Sequence, residues 1–140
     1  MDHVEQLLAA ARAAHSRAYA PYSNFPVGAA LLTARGQIFS GCNVENAALP
    51  NGICAETSAI AAMVNAGEQQ IAAILTVGNG DTPVPPCGGC RQRLREFAAP
   101  GAKIYLATRQ GVQQTFTLDG LLPQSFGPDH LARGARGSSR

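Results

Sequence analysis

The chain has 140 residues, of which 46% are apolar and 14% are charged. This length fits one compact domain, and this composition excludes a disordered or fibrous chain. The net charge is only +2, and no apolar stretch approaches the ~18 residues of a membrane span, so we expect a soluble globular domain without a membrane partner.

The first half of the chain predicts a helix, a β-hairpin and a second helix. Apolar residues at helical spacing open the chain in an Ala-rich segment, and Pro21 ends this helix. Two strand-like runs flank a four-residue turn, and Gly67 is the expected C-cap of the second helix. These elements span residues 4–19 (helix), 27–33 and 38–44 (strands) and 54–65 (helix).

The second half predicts three strands, one helix and a mixed turn with a short helix. The helix is expected to end at Pro100-Gly101, and a near-continuous apolar run of strand length precedes it. The whole order predicts an α/β domain with a mixed sheet and helices on its faces. The segments are 71–77, 103–108 and 112–118 (strands), 87–97 (helix) and 121–132 (turn and short helix).

The two ends of the chain predict where the domain stops and where the protein is located. The domain is expected to span residues 1–132, and residues 133–140 carry Arg among Gly and Ser, which predicts a flexible, solvated tail. The N-terminus has neither a basic leader nor a continuous apolar stretch. Four cysteines in such a chain indicate metal binding or catalysis rather than disulfides, and they predict a cytoplasmic protein.

A split cluster carries the chemistry: Cys54-Ala55-Glu56, and some thirty residues later Pro86-Cys87-Gly88-Gly89-Cys90. Cys87 and Cys90 lie three apart at the start of a predicted helix, so both thiols can bind one ion. Helix N-termini favour thiolates, and Cys54 begins another predicted helix. Three soft sulfur ligands favour zinc and leave its fourth position open.

Glu56 would turn such a metal site into a catalytic site, because a carboxylate can take a proton from a zinc-bound water and deliver it elsewhere. Positions two apart on a regular helix are about 200 degrees apart, however, so spacing alone does not direct Glu56 toward the metal. Either the chain is irregular at Cys54, or the metal sits at the end of the helix.

The alternative without catalysis is a closed structural zinc site in which Cys42 supplies a fourth thiolate. The spacing from Cys42 to Cys54 is unlike that of a zinc-ribbon knuckle. A cysteine in a strand commonly packs as a small apolar side chain. The open site is therefore the favoured interpretation.

An acidic residue two positions after a Cys ligand, followed later by Pro-Cys-x-x-Cys, resembles the signature of the zinc nucleobase deaminases. The chain is similar to the small, three-cysteine, homotetrameric cytidine deaminases, within the cytidine and deoxycytidylate deaminase superfamily. Together with the cluster, the matching segments follow the family's order over residues 5–131. They are residues 19–30, 41–47, 90–92 and 121–128.

The resemblance implies a three-layer α-β-α fold with a five-stranded mixed sheet and one Zn²⁺ per subunit on Cys54, Cys87 and Cys90. It implies hydrolytic deamination of cytidine and deoxycytidine to uridine and deoxyuridine in pyrimidine salvage. Zinc-bound hydroxide would attack C4 of the cytosine ring, Glu56 would protonate N3, and ammonia would leave. No organic cofactor is implied.

The resemblance also implies a substrate site. Asn43 and Glu45 would hydrogen-bond the 3′ hydroxyl of the sugar, Phe25 would pack against the base, and the backbone of Ala55 would contact the polar edge of the base. Phe126 would reach the site of a neighbouring subunit in a homotetramer. Taken alone, Asn43 would be a turn former, Phe25 a core aromatic and Phe126 a tether for the C-terminal segment.

Two positions depart from the family pattern. Thr57 stands where the family usually has an Arg that offsets thiolate charge, and we hypothesise that Thr57 lowers activity or shifts the substrate. The expected compensators are the helix N-termini, the Thr57 hydroxyl and Arg91. Leu49 stands where an aromatic residue usually approaches the nucleoside of an adjacent subunit, which could relax discrimination.

Three alternatives follow from these departures and from the chemistry. One is a deaminase of a modified cytosine nucleoside, such as blasticidin S, and another is the closed structural zinc module. A polynucleotide editor would need a basic groove and stacking aromatics, whereas this chain has no Trp and few aromatic residues. We therefore expect a nucleoside and no nucleic acid as the partner.

Overall fold

The structure is a computed structural model that describes residues 2–135. After an opening helix and hairpin, two helix–strand pairs are followed by one more strand and two helices. The helices are α1 (His3–His15), α2 (Ala55–Asn65), α3 (Gly88–Phe97), α4 (Leu118–Leu121) and α5 (Pro128–Ala135), with a 3-10 turn at Leu49–Asn51. The strands are β1 (Gly28–Thr33), β2 (Ile38–Cys42), β3 (Ile71–Val77), β4 (Ala98–Thr108) and β5 (Gly111–Thr117).

The five strands form one mixed sheet in the order β2-β1-β3-β4-β5. β3 and β4 are parallel, and the other neighbouring pairs are antiparallel. β3 lies in the middle and is almost wholly buried, which explains its near-continuous apolar sequence. The parallel pair requires a crossover, and α3 provides it.

Helices cover both faces of the sheet. Alternate residues along the central strands point to opposite faces, so each strand packs against helices on both sides. On one face, Leu7 and Ala11 of α1 pack with Leu75 of β3. On the other face, Met63 of α2 packs with Ile74 of β3. The same cluster includes residues of α3 and α4. The predicted α/β fold, three layers with a mixed five-stranded sheet, is confirmed.

α1 ends at His15, four residues earlier than the helical spacing predicts. Tyr19 instead pairs with the chain that follows β2: its N–H donates to the Asn43 carbonyl at 3.0 Å, and its carbonyl accepts from Glu45 N–H at 2.8 Å. This tertiary pairing satisfies the backbone in an extended conformation, so it overrides the local helix propensity of the segment.

β4 begins at Ala98, so Pro100-Gly101, which we expected to end α3, lies inside this strand. Ile71 is opposite Ala98, whereas Ala73 is opposite Lys103, so β4 bulges between these two pairs. A proline is tolerated there because the bulged residues need not donate to the ladder.

The end of the domain stays a prediction. α5 continues past position 132 to Ala135, and residues 136–140, the rest of the predicted tail, lie outside the described residues. Within residues 2–135, no helix is long and apolar enough to cross a lipid bilayer.

Candidate active site

The N-termini of α2 and α3 meet at one edge of the sheet. α2 runs toward the start of β3, and α3 begins after the loop that follows the end of β3. Both helix starts therefore lie beside the carboxyl end of β3, where α/β folds commonly place their ligands. The split cysteine cluster is located at these two helix starts.

The sulfur atoms of Cys54, Cys87 and Cys90 all lie within 4.8 Å of one another, and Cys54 Sγ is 3.9 Å from Cys87 Sγ. Two thiolates bound to one tetrahedral zinc at ~2.3 Å each would be separated by about 3.8 Å. The three thiols thus fit a zinc ion in both ligand type and spacing.

Cys54 is the N-cap of α2 rather than a residue within it. Its backbone is extended (φ −79°, ψ 160°), and the helix begins at Ala55. Cys87 stands in the same position before α3, with φ −66° and ψ 168°. The separation of about 200 degrees expected between Cys54 and Glu56 therefore does not apply, because it holds only when both residues lie within a regular helix. The thiol cluster lies at the N-terminal end of α2.

Glu56 lies in the first turn of α2 and is buried, with 5% of its surface exposed. This burial raises the pKa of its carboxyl group. A hydrogen bond with Cys90 and the positive charge of Arg93 oppose the rise. Glu56 is therefore a buried carboxyl group beside the thiols, a position from which it can carry a proton to or from a molecule bound there.

The three thiols have different tendencies to ionise. Burial raises the pKa of Cys54, and burial together with the charge of Glu56 raises that of Cys90 well above the usual range. Burial also opposes ionisation of Cys87, but hydrogen bonds from Cys90 and Cys54 outweigh it and lower the Cys87 pKa. Cys87 is also the most exposed of the three thiols.

Cys90 has two polar neighbours from different helices. Thr57 Oγ1 lies 3.9 Å from Cys90 Sγ, as expected if its hydroxyl donates to sulfur, and Arg93 Nη1 donates to the same atom at 4.0 Å. Arg91, which we expected to compensate the sulfurs, instead donates to the carbonyls of Pro86 (2.8 Å) and Leu121 (2.9 Å). Arg93 was not predicted from the sequence, although its spacing of three from Cys90 on a helix signals proximity.

A second group of predicted site residues surrounds the segment after β2. The Asn43 side chain bridges two residues of the segment before β1: its Oδ1 accepts from Val27 N–H at 2.9 Å, and its Nδ2 donates to the Phe25 carbonyl at 3.0 Å. Phe25 itself is partly exposed. Asn43 thus fixes the backbone that presents the Phe25 ring.

Glu45 holds the same segment from the other side. Its Oε1 accepts from the N–H groups of Tyr22 (2.9 Å) and Ser23 (3.1 Å), and its Oε2 accepts from the Ser23 hydroxyl. The hydrogen bond from the Ser23 side chain, with those from the two backbone groups, lowers the pKa of Glu45. Glu45 is therefore a carboxylate at neutral pH.

The two groups of residues are joined by a short backbone bridge. Val44 and Ile53 exchange both of their N–H···O hydrogen bonds at 3.0 Å, which places residues 43–45 beside the chain that enters Cys54. Ala55 follows and is fully buried. The structure thus places residues 43–45 beside Ile53, directly before Cys54 in the chain.

Close packing of α2 on β2 sets the position of this helix start. A side chain at Gly41 would place its Cβ 2.5 Å from the backbone nitrogen of Ala59. The Ser58 hydroxyl donates to the Cys42 carbonyl at 2.8 Å, which ties the first turn of α2 to the end of β2. Only glycine at position 41 permits this approach.

Phe126 and Leu49 are exposed apolar side chains. The Phe126 ring stacks on His130 with centroids 5.2 Å apart, and its carbonyl accepts from Gln92 Nε2 at 2.8 Å. Phe126 is 56% exposed and Leu49, in the 3-10 turn, is 72% exposed. The prediction that either residue serves a neighbouring subunit concerns an assembly and stays a prediction.

Cys42 lies outside the metal-binding group in the described part of the chain, residues 2–135. We therefore expect Cys42→Ser to retain the zinc content of the unmodified protein, measured by atomic emission after dialysis. Cys54→Ser is the matched control and should lose zinc. Loss of zinc from Cys42→Ser would instead support the closed, four-thiolate site.

Comparison with known proteins gives a consistent set of relatives. Residues 1–107 match the family described as the cytidine and deoxycytidylate deaminase zinc-binding region. The cytidine deaminase of Sporosarcina psychrophila is 41% identical over 132 residues, which cover 94% of this chain and 97% of that protein.

Solved structures agree with the sequence relatives. The crystal structure of cytidine deaminase from Burkholderia pseudomallei is 44% identical, with a TM-score of 0.83 over 90% of this chain and all of that chain. The cytidine deaminase from Mycobacterium leprae is also 44% identical, with a TM-score of 0.75 over 89% of this chain and all of that one. These solved structures share the fold of this chain, in agreement with the family match over residues 1–107.

Proposed function

The chain belongs to the cytidine and deoxycytidylate deaminase family, and from that premise we propose that it is a zinc-dependent hydrolase that deaminates cytidine and deoxycytidine. Water and the nucleoside would give uridine or deoxyuridine and ammonia. The observation that carries this proposal is the convergence of three thiols and one buried carboxyl group, Glu56, at two helix starts.

We assign the zinc ion to Cys54, Cys87 and Cys90, whose sulfur atoms have the spacing described above. When bound, zinc supplies a Lewis acid that makes water nucleophilic at neutral pH. Glu56 takes a proton from the attacking water and delivers it to N3 of the cytosine ring. It then transfers the second proton to the departing amino group, which leaves C4 as ammonia.

Phe25, Asn43, Glu45 and Ala55 would hold the nucleoside. The amide of Asn43 uses one hydrogen and one lone pair within the protein, so it keeps one of each for a sugar hydroxyl. Glu45 is a carboxylate and accepts a hydroxyl hydrogen directly. A site built on such hydrogen bonds discriminates strongly against ligands that lack the hydroxyl, which favours a nucleoside over free cytosine.

The oligomer and the cellular location are further parts of the proposal. Exposed Leu49 and Phe126 support a homotetramer in which each ring of Phe126 completes a neighbour's site. Light scattering should then give four times the chain mass. Three of the four cysteines are assigned to zinc, a use of cysteine typical of reducing compartments, which supports the cytoplasm as the location.

One assay tests the proposed activity. Zinc-loaded protein is incubated with cytidine, deoxycytidine, blasticidin S, cytosine and single-stranded DNA, and ammonia release is followed together with zinc content. We expect release from cytidine and deoxycytidine and none from cytosine or DNA. Release from blasticidin S alone would favour the modified-nucleoside alternative, and no release from any substrate by zinc-loaded protein would overturn the enzymatic function.

A further inference from the structure

The three-thiolate site carries an excess of negative charge. One Zn²⁺ and three thiolates leave one net negative charge, and a negative centre is a weaker Lewis acid than one with neutral ligands. The N-termini of α2 and α3 offset part of this charge through their N–H groups. Position 57, where the family pattern has a cation, is occupied by the neutral Thr57.

We propose that Arg93 supplies the missing cation from the opposite helix, as a positioning residue that stabilises the Cys90 thiolate and thereby the bound zinc. This inference rests on the proposed zinc hydrolase, since it concerns the charge of the same centre. The family pattern has this cation at position 57 in α2, whereas here Arg93 would provide it from α3.

Two contacts of the Cys90 sulfur carry the proposal. Arg93 Nη1 donates to Cys90 Sγ at 4.0 Å from one turn further along α3. Thr57 Oγ1 approaches the same sulfur at 3.9 Å from α2. Cys90 is fully buried, so its charge, once zinc is bound, has no direct contact with solvent and must be stabilised by polar groups of the protein such as these two.

Gly89 provides the space for the guanidinium group. A Cβ at position 89 would lie 3.2 Å from Arg93 Nη1 and 4.0 Å from Cys87 Sγ. The absence of a side chain there lets the guanidinium lie against the first turn of α3. The pair of Gly89 and Arg93 is thus a local arrangement that brings a cation to the thiolates.

Much of the Arg93 side chain remains exposed, so its charge is partly screened by salt. If Arg93 acts on zinc retention through its charge, the effect should weaken as ionic strength rises. If it acts through packing, the effect should not depend on salt. This difference gives the proposal a signature that does not depend on catalysis.

The test uses Arg93→Gln, Arg93→Lys and the matched control Arg35→Gln, which removes the same charge from the exposed β1–β2 turn. Zinc release to a chelator and the sulfur-to-metal charge-transfer band of the cobalt-substituted protein are measured. We expect Arg93→Gln to release zinc about 10-fold faster at low salt, as for other groups that contact metal ligands. Its cobalt band should shift to lower energy, because the thiolate loses a hydrogen-bonding cation.

Arg93→Lys should recover most of the zinc retention, and Arg35→Gln should behave as the unmodified protein. Thr57→Arg introduced into Arg93→Gln should restore zinc retention, since either helix can then provide the cation. The proposal is overturned by unchanged zinc release and an unchanged cobalt band in Arg93→Gln. It is also overturned if the effects are the same at high salt, or if Thr57→Arg fails to restore zinc retention to Arg93→Gln.

These measurements need no substrate, so they separate the two proposals. A protein that holds zinc and deaminates cytidine, but is insensitive to Arg93→Gln, would refute only the role of Arg93. A protein that holds no zinc at the three thiols would refute the proposed function itself.

Discussion

Replacing Glu56 with Gln is expected to lower the turnover of cytidine by about 10²–10⁴-fold, the range typical for loss of a positioned general acid–base group. Gln keeps the size of the side chain but cannot carry a proton from water to the ring. Zinc content should be unchanged, because the sulfur ligands remain. Turnover is measured as ammonia release at saturating cytidine, with zinc measured on the same sample.

The same substitution should not destabilise the fold. The Glu56 carboxyl group is buried, and its raised pKa shows that the charged form is disfavoured there, so a neutral amide is tolerated. Glu5→Gln, on the exposed face of α1, is the matched control and should retain full turnover. A Glu56→Gln protein that binds zinc and turns over cytidine at the normal rate would refute the assignment of Glu56 as the proton carrier.

Gly41→Ala is expected to lower both stability and activity. The new Cβ would lie 2.5 Å from the Ala59 nitrogen and from Ser58 Cβ, so α2 must move away from β2. Overpacking of this kind costs about 1–3 kcal/mol. For a chain of this length that corresponds to a decrease in Tm of roughly 3–10 °C. Because α2 carries Cys54 and Glu56 at its start, turnover should fall as well.

Gly101→Ala is the matched control for this change. A Cβ at position 101 would meet no atom within 4 Å, so Tm and turnover should stay close to those of the unmodified protein. Thermal unfolding and cytidine turnover are measured for both variants. If Gly41→Ala unfolds at the normal temperature with normal turnover, the packing of α2 on β2 does not position the site.

The features that can be predicted from the sequence are those that depend on local interactions or on a fixed spacing of residues. β3 has the bounds that its near-continuous apolar run predicts, because a strand buried on both faces is composed almost entirely of apolar residues. The thiol cluster was also predictable, since metal ligands need particular side chains at restricted spacings. The orientation of Glu56 was not, because it depends on the extended backbone of the N-cap residue Cys54.

Other features were beyond the sequence because they arise from tertiary pairing. α1 stops early since Tyr19 pairs with the chain after β2, and no local pattern signals this partner. Arg91 and Arg93 are similar in sequence context, yet one donates to backbone carbonyls and the other to a sulfur. Only the position of α4 and the loop before Cys87 decides between them.

The central place of β3 in the sheet determines when the site can form during folding. β3 pairs with β1, which lies some forty residues earlier, and with β4, which follows only after α3. Both neighbours of β3 are therefore distant from it in sequence. Closing such loops costs entropy before any contact repays it, which makes this pairing a slow step. The three thiols meet in a structure in which α2 and α3 both pack on β3. A zinc ion held by all three would therefore favour the assembled sheet over the unfolded chain.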